Sequence, residues 1–282
     1  MPNATLRLMR WQNALLAAAG VLAGAWWVLT APGEGIVARD GIAALLGTRT
    51  ILAAAAAIAL AAFANITNDI ADVEIDRIAH PDRPIAAGRL REETARIWAA
   101  VAGIAAVAAS LAAWPALAPV SAVILLIMFE YSRWIKARGL PGNILVAIIA
   151  SLPFLYGTWS AHQPAAAWPL LLVAIPLHLA REIAKDIEDV DGDATRRRTL
   201  PLAAGLGAAR FGLLLALAAF AGALVPLAVE RPAFAALVLP ALVACAIAAR
   251  RAFAGRRGGP LLLKTAMVWS LAALLLSSRP SL

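Results

Sequence analysis

Two acidic stretches hold the residues of this 282-residue chain whose types and spacing suit chemistry. Residues 68–76 read Asn-Asp-Ile-Ala-Asp-Val-Glu-Ile-Asp, and residues 185–193 read Lys-Asp-Ile-Glu-Asp-Val-Asp-Gly-Asp. They are one motif used twice. Shifting the sequence against itself by 117 positions lays Asp69, Asp72 and Asp76 on Asp186, Asp189 and Asp193, and residues 84–88 on 201–205, with no gap across 66–88. The acids recur at i, i+3 and i+7, which on a continuous helix puts all three on one narrow face. Asn65 and Glu182, four residues earlier, extend the two faces. Carboxylates gathered in one place repel unless cations lie among them, and oxygen ligands of this hardness suit Mg²⁺ or Mn²⁺. Mg²⁺ takes one or two protein carboxylates and keeps other positions for phosphate oxygens, so the pattern points to diphosphate binding. Arg77 and Arg83 after the first copy, and Arg196, Arg197 and Arg198 after the second, supply the complementary charge.

The elements that must position these acids are membrane helices. The chain is 62% hydrophobic and 15% charged with a mean hydropathy of +0.79, whereas a soluble domain carries about 25% charged residues. Nine apolar spans are predicted, near 14–30, 50–66, 97–113, 117–132, 143–160, 167–183, 209–228, 233–249 and 260–277. The expected fold is all-α: one polytopic membrane domain over 1–282, with repeat halves roughly 1–140 and 141–282. Arg7 and Arg10 before the first apolar run imitate a signal peptide, but eight further spans favour an uncleaved first helix. Four spans separate the second from the sixth, so both acidic motifs face the same way and the repeat is parallel. The apolar runs before the motifs, 51–64 and 168–180, are too short to cross alone. Each helix must continue into its acidic turn, which places the carboxylates on a cytoplasm-facing cavity let into the membrane.

The net charge of +8 would suggest nucleic acid in a soluble chain. Its distribution excludes that partner and instead sets topology. With the N-terminus cytoplasmic, 21 of the 25 basic residues fall on the inside, and only Arg39, Arg49, Arg231 and Arg279 fall outside. The cell membrane is the expected location. Cys245, alone in an apolar run, reads as a small buried hydrophobe. His80, His162 and His178 show no metal-ligand spacing, and His178, inside the sixth span, reads as a packed core histidine.

The chain resembles the UbiA superfamily of intramembrane prenyltransferases. The resemblance rests on Asn68, Asp69, Asp72 and Asp76 followed by Pro81-Asp82-Arg83-Pro84-Ile85 and Gly88, and on Asp186, Asp189 and Asp193 followed by Thr199-Leu200-Pro201. Tyr131-Ser132 with Lys136 and Gly142-Asn143, and Arg10 with Asn13 at the first span, also match. It implies nine helices around a central cavity, two Mg²⁺ ions and an isoprenyl diphosphate donor. The implied metal residues are Asn68, Asp69, Asp72, Asp76, Asp186, Asp189 and Asp193, with Asp72, Asp76, Asp189 and Asp193 catalytic. Motif position and charge complementarity assign Asn68, Arg83, Tyr131, Lys136 and Lys185 to the diphosphate.

The contexts of both motifs look most like the archaeal branch of that superfamily that alkylates geranylgeranylglyceryl phosphate to make an ether lipid. A phosphate-bearing acceptor gives Arg10, Asn13, Arg197 and Arg198, with Arg7, a use near the cytoplasmic rim. Ionisation of the donor's C1–O bond would leave an allylic cation, protected from water in a lipid-embedded cavity. Trp26, Trp27, Phe129, Phe154 and Trp159 are candidates for the tail path, with simple packing as their alternative role. An aromatic acceptor such as 4-hydroxybenzoate is the main alternative. A CDP-alcohol phosphotransferase fits less well, since no acidic pair follows Gly205. A cation transporter is disfavoured by the Arg-rich loops beside the acids, and a Ca²⁺ loop by Arg198 where its closing acid would stand.

Overall fold

The computed structural model describes residues 4–30, 45–131, 139–190 and 199–277. Every regular element among them is helical. Aliphatic sequence leaves the backbone no water to bond, and a helix is the local way to satisfy it. The short α1 (Ala4–Leu8) leads into α2 (Trp11–Leu29), followed by α3 (Thr48–Ala71), α4 (Val73–Ala79), α5 (Glu92–Ala113) and α6 (Leu117–Glu130). The rest of the chain builds α7 (Leu140–Ser151), α8 (Pro153–Ser160), α9 (Trp168–Glu188), α10 (Leu200–Glu230), α11 (Pro232–Leu237), α12 (Leu239–Phe253) and α13 (Gly259–Ser277). Each of α7 to α13 carries Pro at its first or second position, where its missing N–H costs nothing.

Among the described residues eight segments are long and apolar enough to cross a membrane, with α7–α8 and α11–α12 each forming one of them. The span expected near 117–132 is described only as far as Tyr131: within it α6 has 14 residues, or about 21 Å at 1.5 Å per residue. That is short of the roughly 30 Å hydrocarbon core.

Among the described residues two large apolar cores organise the bundle, beside a smaller one of Leu8, Ile66, Ile85, Ala95 and Ala99. One joins α3, α5, α6 and α8 through residues such as Ala56, Ala106, Leu117 and Tyr156. The other joins α9, α10, α12 and α13 through Ile183, Leu213, Phe220, Ala248 and Leu263. Helix α2 serves both, giving Val21 to the first and Ala23 and Trp27 to the second. Its contact with α8 is backbone on backbone: a Cβ on Gly157 would lie 2.0 Å from the Val21 carbonyl oxygen, and one on Gly24 2.3 Å from that of Phe154. Small residues at such crossings let membrane helices approach closely.

The acidic motifs end α3 and α9, and here the structure corrects the single-helix expectation. Asp72 and Asp189 are the residues where the helices stop, with φ/ψ of −96°/4° and −94°/4°. Each N–H still bonds the carbonyl four residues back, on Asn68 and Lys185, at 3.0 Å. Asp76 therefore sits on a separate helix, α4, and not on the continuous face that i, i+3, i+7 spacing implied. The two downstream segments also share a feature, since Gly88 and Gly205 take φ of 69° and 88°, a conformation open to glycine. Gly205 breaks α10 after its first turn, so the expected span from 209 begins beyond that kink.

Candidate active site

The first motif is closed in. Asp69, Asp72 and Asp76 are 3%, 5% and 3% exposed. Arg83, folded back from the following turns, donates to Asp76 at 2.5 Å and to Asp69 at 3.4 Å, and Arg10 donates to the same Asp69 oxygen at 2.6 Å. Arg83 thus restores the convergence that the break at Asp72 would have lost. Asn68 donates its amide to Asp72 at 3.1 Å. Burial pushes the Asp76 carboxyl above its ordinary range, while the hydrogen bond and charge of Arg83 pull it down.

The second motif is more open. Asp189 is exposed and Asp186 half-buried, and Asn143 at the start of α7 donates its amide to Asp186 at 2.7 Å. Glu188 has a different task, accepting the Gly259 N–H at 2.6 Å and so capping α13. In both motifs the central Asp closes a helix at its negative end, but Asp72 also begins α4, at the positive end of that helix.

A cavity of about 380 Å³ opens between α2, α3, α6 to α11 and α13. Polar side chains gather at the end beside the motifs: Arg10, Asn13, Asn65, Asn68, Tyr131, His178, Arg181, Glu182, Lys185 and Lys264. Beyond them the walls are apolar, with Leu60, Ile124, Phe154, Leu177, Leu227 and Leu271. Along α13 the lining runs from Lys264 to Leu274, ten residues or about 15 Å. All-oxygen donors at its rim are the chemistry that Mg²⁺ or Mn²⁺ prefers. Among the described residues no three acid, imidazole or thiol side chains cluster tightly enough to hold a metal alone.

The structure brings Asn68, Tyr131, Lys185, Arg10 and Asn13 to this one cavity. It sets Arg83 on the carboxylates of the first motif, and Arg10 on Asp69 beside the metal candidates rather than in a pocket of its own. Arg7 makes an exposed pair with Asp82 at 3.7 Å. Lys136, Asp193, Arg197 and Arg198 lie outside the described residues. Of the five aromatics expected along the tail path, only Phe154 lines the cavity; Trp27 is buried in the core, under the Arg231 guanidinium. His178 lies on the cavity wall and is not a fully packed core residue. Lys264 and Arg181 read from the sequence as topology charges alone, although a lysine five residues inside an apolar span is itself a signal of function. Cys245 is buried, as its apolar surroundings imply.

Residues 21–272 match the model of the UbiA prenyltransferase family. A digeranylgeranylglyceryl phosphate synthase of Methanopyrus kandleri is 38% identical over 182 residues, covering 62% of this chain and 65% of that protein. In three curated relatives of that name the match spans 60–65% of their length, a little under two-thirds. A solved structure described as digeranylgeranylglyceryl phosphate synthase superposes with a TM-score of 0.69 at 23% identity, covering 98% of this chain and 97% of the other. A UbiA homolog from Archaeoglobus fulgidus, bound to GPP and Mg²⁺, superposes with a TM-score of 0.61 at 16% identity, covering 97% and 98%. With its paired acidic motifs, its multi-pass helical fold and a family match over most of its length, the chain belongs to the UbiA prenyltransferase family.

Proposed function

We propose that the chain transfers a geranylgeranyl group from its diphosphate to the free hydroxyl of geranylgeranylglyceryl phosphate, forming the second ether bond of an archaeal lipid. The observation that carries this reading is the cavity, mostly apolar for about 10 Å along α13 beyond Lys264 and ringed at one end by cations and oxygen donors. An isoprenoid tail with an anionic head has that shape and polarity. The relatives named for this lipid support the choice of acceptor. Nine crossings, with α6 completing the set, a parallel repeat, a cytoplasmic N-terminus and a central cavity open to the cytoplasm complete the proposal. The basic residues around the motifs support that orientation.

The donor set fits Mg²⁺ completed by diphosphate oxygens. Asp72 and Asp189 would hold two such ions, with Asn68, Asp69, Asp76, Asp186 and Asp193 around them; bound there, the ions would offset the charge that develops on the leaving diphosphate. Arg83, Lys136 and Lys185 bind diphosphate oxygens, and Tyr131 donates a hydrogen bond to them. As the C1–O bond breaks, its electron pair leaves with the diphosphate and the tail stays between apolar helices. The exclusion of water preserves the allylic carbon for attack by the acceptor oxygen, whose proton passes to the departing diphosphate as the ether forms. Arg10, Asn13, Arg197 and Arg198 line the acceptor's approach.

Purified protein with labelled geranylgeranyl diphosphate and Mg²⁺ tests the reading. The phosphorylated lipid acceptor is expected to be consumed far faster than 4-hydroxybenzoate. Preference for the aromatic acid overturns the ether-lipid assignment, and no transfer to either overturns the prenyltransferase reading.

A further inference from the structure

Lys264 is the cavity cation that the acidic motifs do not explain. It projects from α13 into the polar end of the cavity and donates to the Asn13 Oδ1 on α2 at 3.0 Å. The guanidiniums that line the same end of the cavity are those of Arg181 and Arg10. Both of those already hold an acid, Glu182 at 2.5 Å and Asp69 at 2.6 Å. Among the described residues Lys264 has a neutral amide for its hydrogen-bond partner and no ion pair. An ammonium carries three donors, so two remain after Asn13. A half-buried ammonium at membrane depth beside two other cations is costly unless an anion completes the site.

Chemistry narrows the anion. In a glycerol monophosphate the reacting hydroxyl and the phosphate are on neighbouring carbons, so the phosphate must sit close to the donor's diphosphate without sharing its cations. The groups of the two motifs and Arg83 belong to the diphosphate. Lys264 comes from a different helix and is bridged to α2, away from both motifs in the chain.

Resting on the prenyltransferase reading above, we propose that Lys264, oriented by Asn13, holds the phosphate of the lipid acceptor and sets the preference for a phosphorylated over an unphosphorylated acceptor. The readout is the ratio of kcat/KM for geranylgeranylglyceryl phosphate to that for geranylgeranylglycerol. Lys264→Gln is expected to lower this ratio roughly 10- to 100-fold, the scale of losing a hydrogen bond to a charged group. It should leave the Kd for geranylgeranyl diphosphate within about twofold, and Lys264→Arg should recover most of the ratio. Thermal shift of the protein in detergent by the phosphorylated acceptor alone should shrink in parallel. Should Lys264→Gln fail to fold, Asn13→Ala carries the test with a smaller fall in the same ratio. A wild-type preference for phosphate that survives in these variants overturns this inference and leaves prenyl transfer standing. Equal losses of donor and acceptor affinity overturn it too. Wild-type protein that transfers to neither acceptor overturns both readings.

Discussion

The two acidic motifs share a backbone and differ in their surroundings. Asp72 and Asp189 end their helices with dihedral angles within a few degrees of each other. Yet all three acids of the first motif are buried, two of them tied to Arg10 or Arg83. In the second, Asp189 is exposed and Asp186 faces an amide from α7. A repeated sequence repeats local geometry, because hydrogen bonds four residues apart depend on nearby residues. It does not repeat electrostatics, which depend on whichever helix packs alongside. Among the described residues the first motif is therefore the more deeply buried, and Asp189 is the more accessible of the two central acids.

The strongest way to break this comparison is to remove the central acid from each side. Asp72→Ala and Asp189→Ala should each lower kcat by at least about 10²–10³-fold, the scale of losing one preorganised electrostatic stabiliser. Labelled-product assays would measure it on protein that still elutes as a folded species in detergent. Near-normal turnover in one variant alone would mean that the two motifs are not equivalent partners.

Stability should separate them next. Arg83→Ala leaves the buried Asp76 without its ion pair, and the melting transition in detergent should report a loss of about 3 kcal/mol. Lys185→Ala, beside the open motif, should cost far less, as should Arg256→Ala and Arg257→Ala in the exposed turn before α13. Equal losses in all four would deny the contrast in burial.

The amides sharpen the comparison further. Asn68 and Asn143 each orient one motif acid, and replacing either with Ala should weaken Mg²⁺ dependence by about 10- to 100-fold, the usual effect of losing a group that orients a metal ligand. A titration of activity against Mg²⁺ measures both. The smallest effect belongs to Glu188, which has no acidic counterpart in the first motif, since the repeat aligns it with Ala71. Glu188→Ala should lower stability by about 1 kcal/mol through its lost cap and leave turnover nearly intact; a collapse of activity would make it a ligand.

Much of this site is legible in the residues themselves. The acids stand out because charge in an apolar chain is costly, and Asn68, Lys185, Arg10 and Asn13 do meet at one cavity. The helix break at Asp72 is less legible, since i, i+3, i+7 spacing is as regular across a break as along a helix. The aromatics mislead for a related reason: Trp27 and Phe154 are alike in composition, but one faces the core and the other the cavity.

The amino-acid sequence by itself determined the class and the chemistry. A 62% hydrophobic chain can satisfy its backbone in lipid only through helices, and the duplicated acids specify an oxygen-ligand site. Only the tertiary structure decided which cation meets which acid. Arg10 reaches Asp69 across 59 residues and Lys264 reaches Asn13 across 251. Nothing in local periodicity encodes such pairs, because they follow from how close two helices can pack, as Gly157 and Gly24 permit for α2 and α8. The pairings of Arg10, Glu188 and Lys264 therefore belong to the packed bundle.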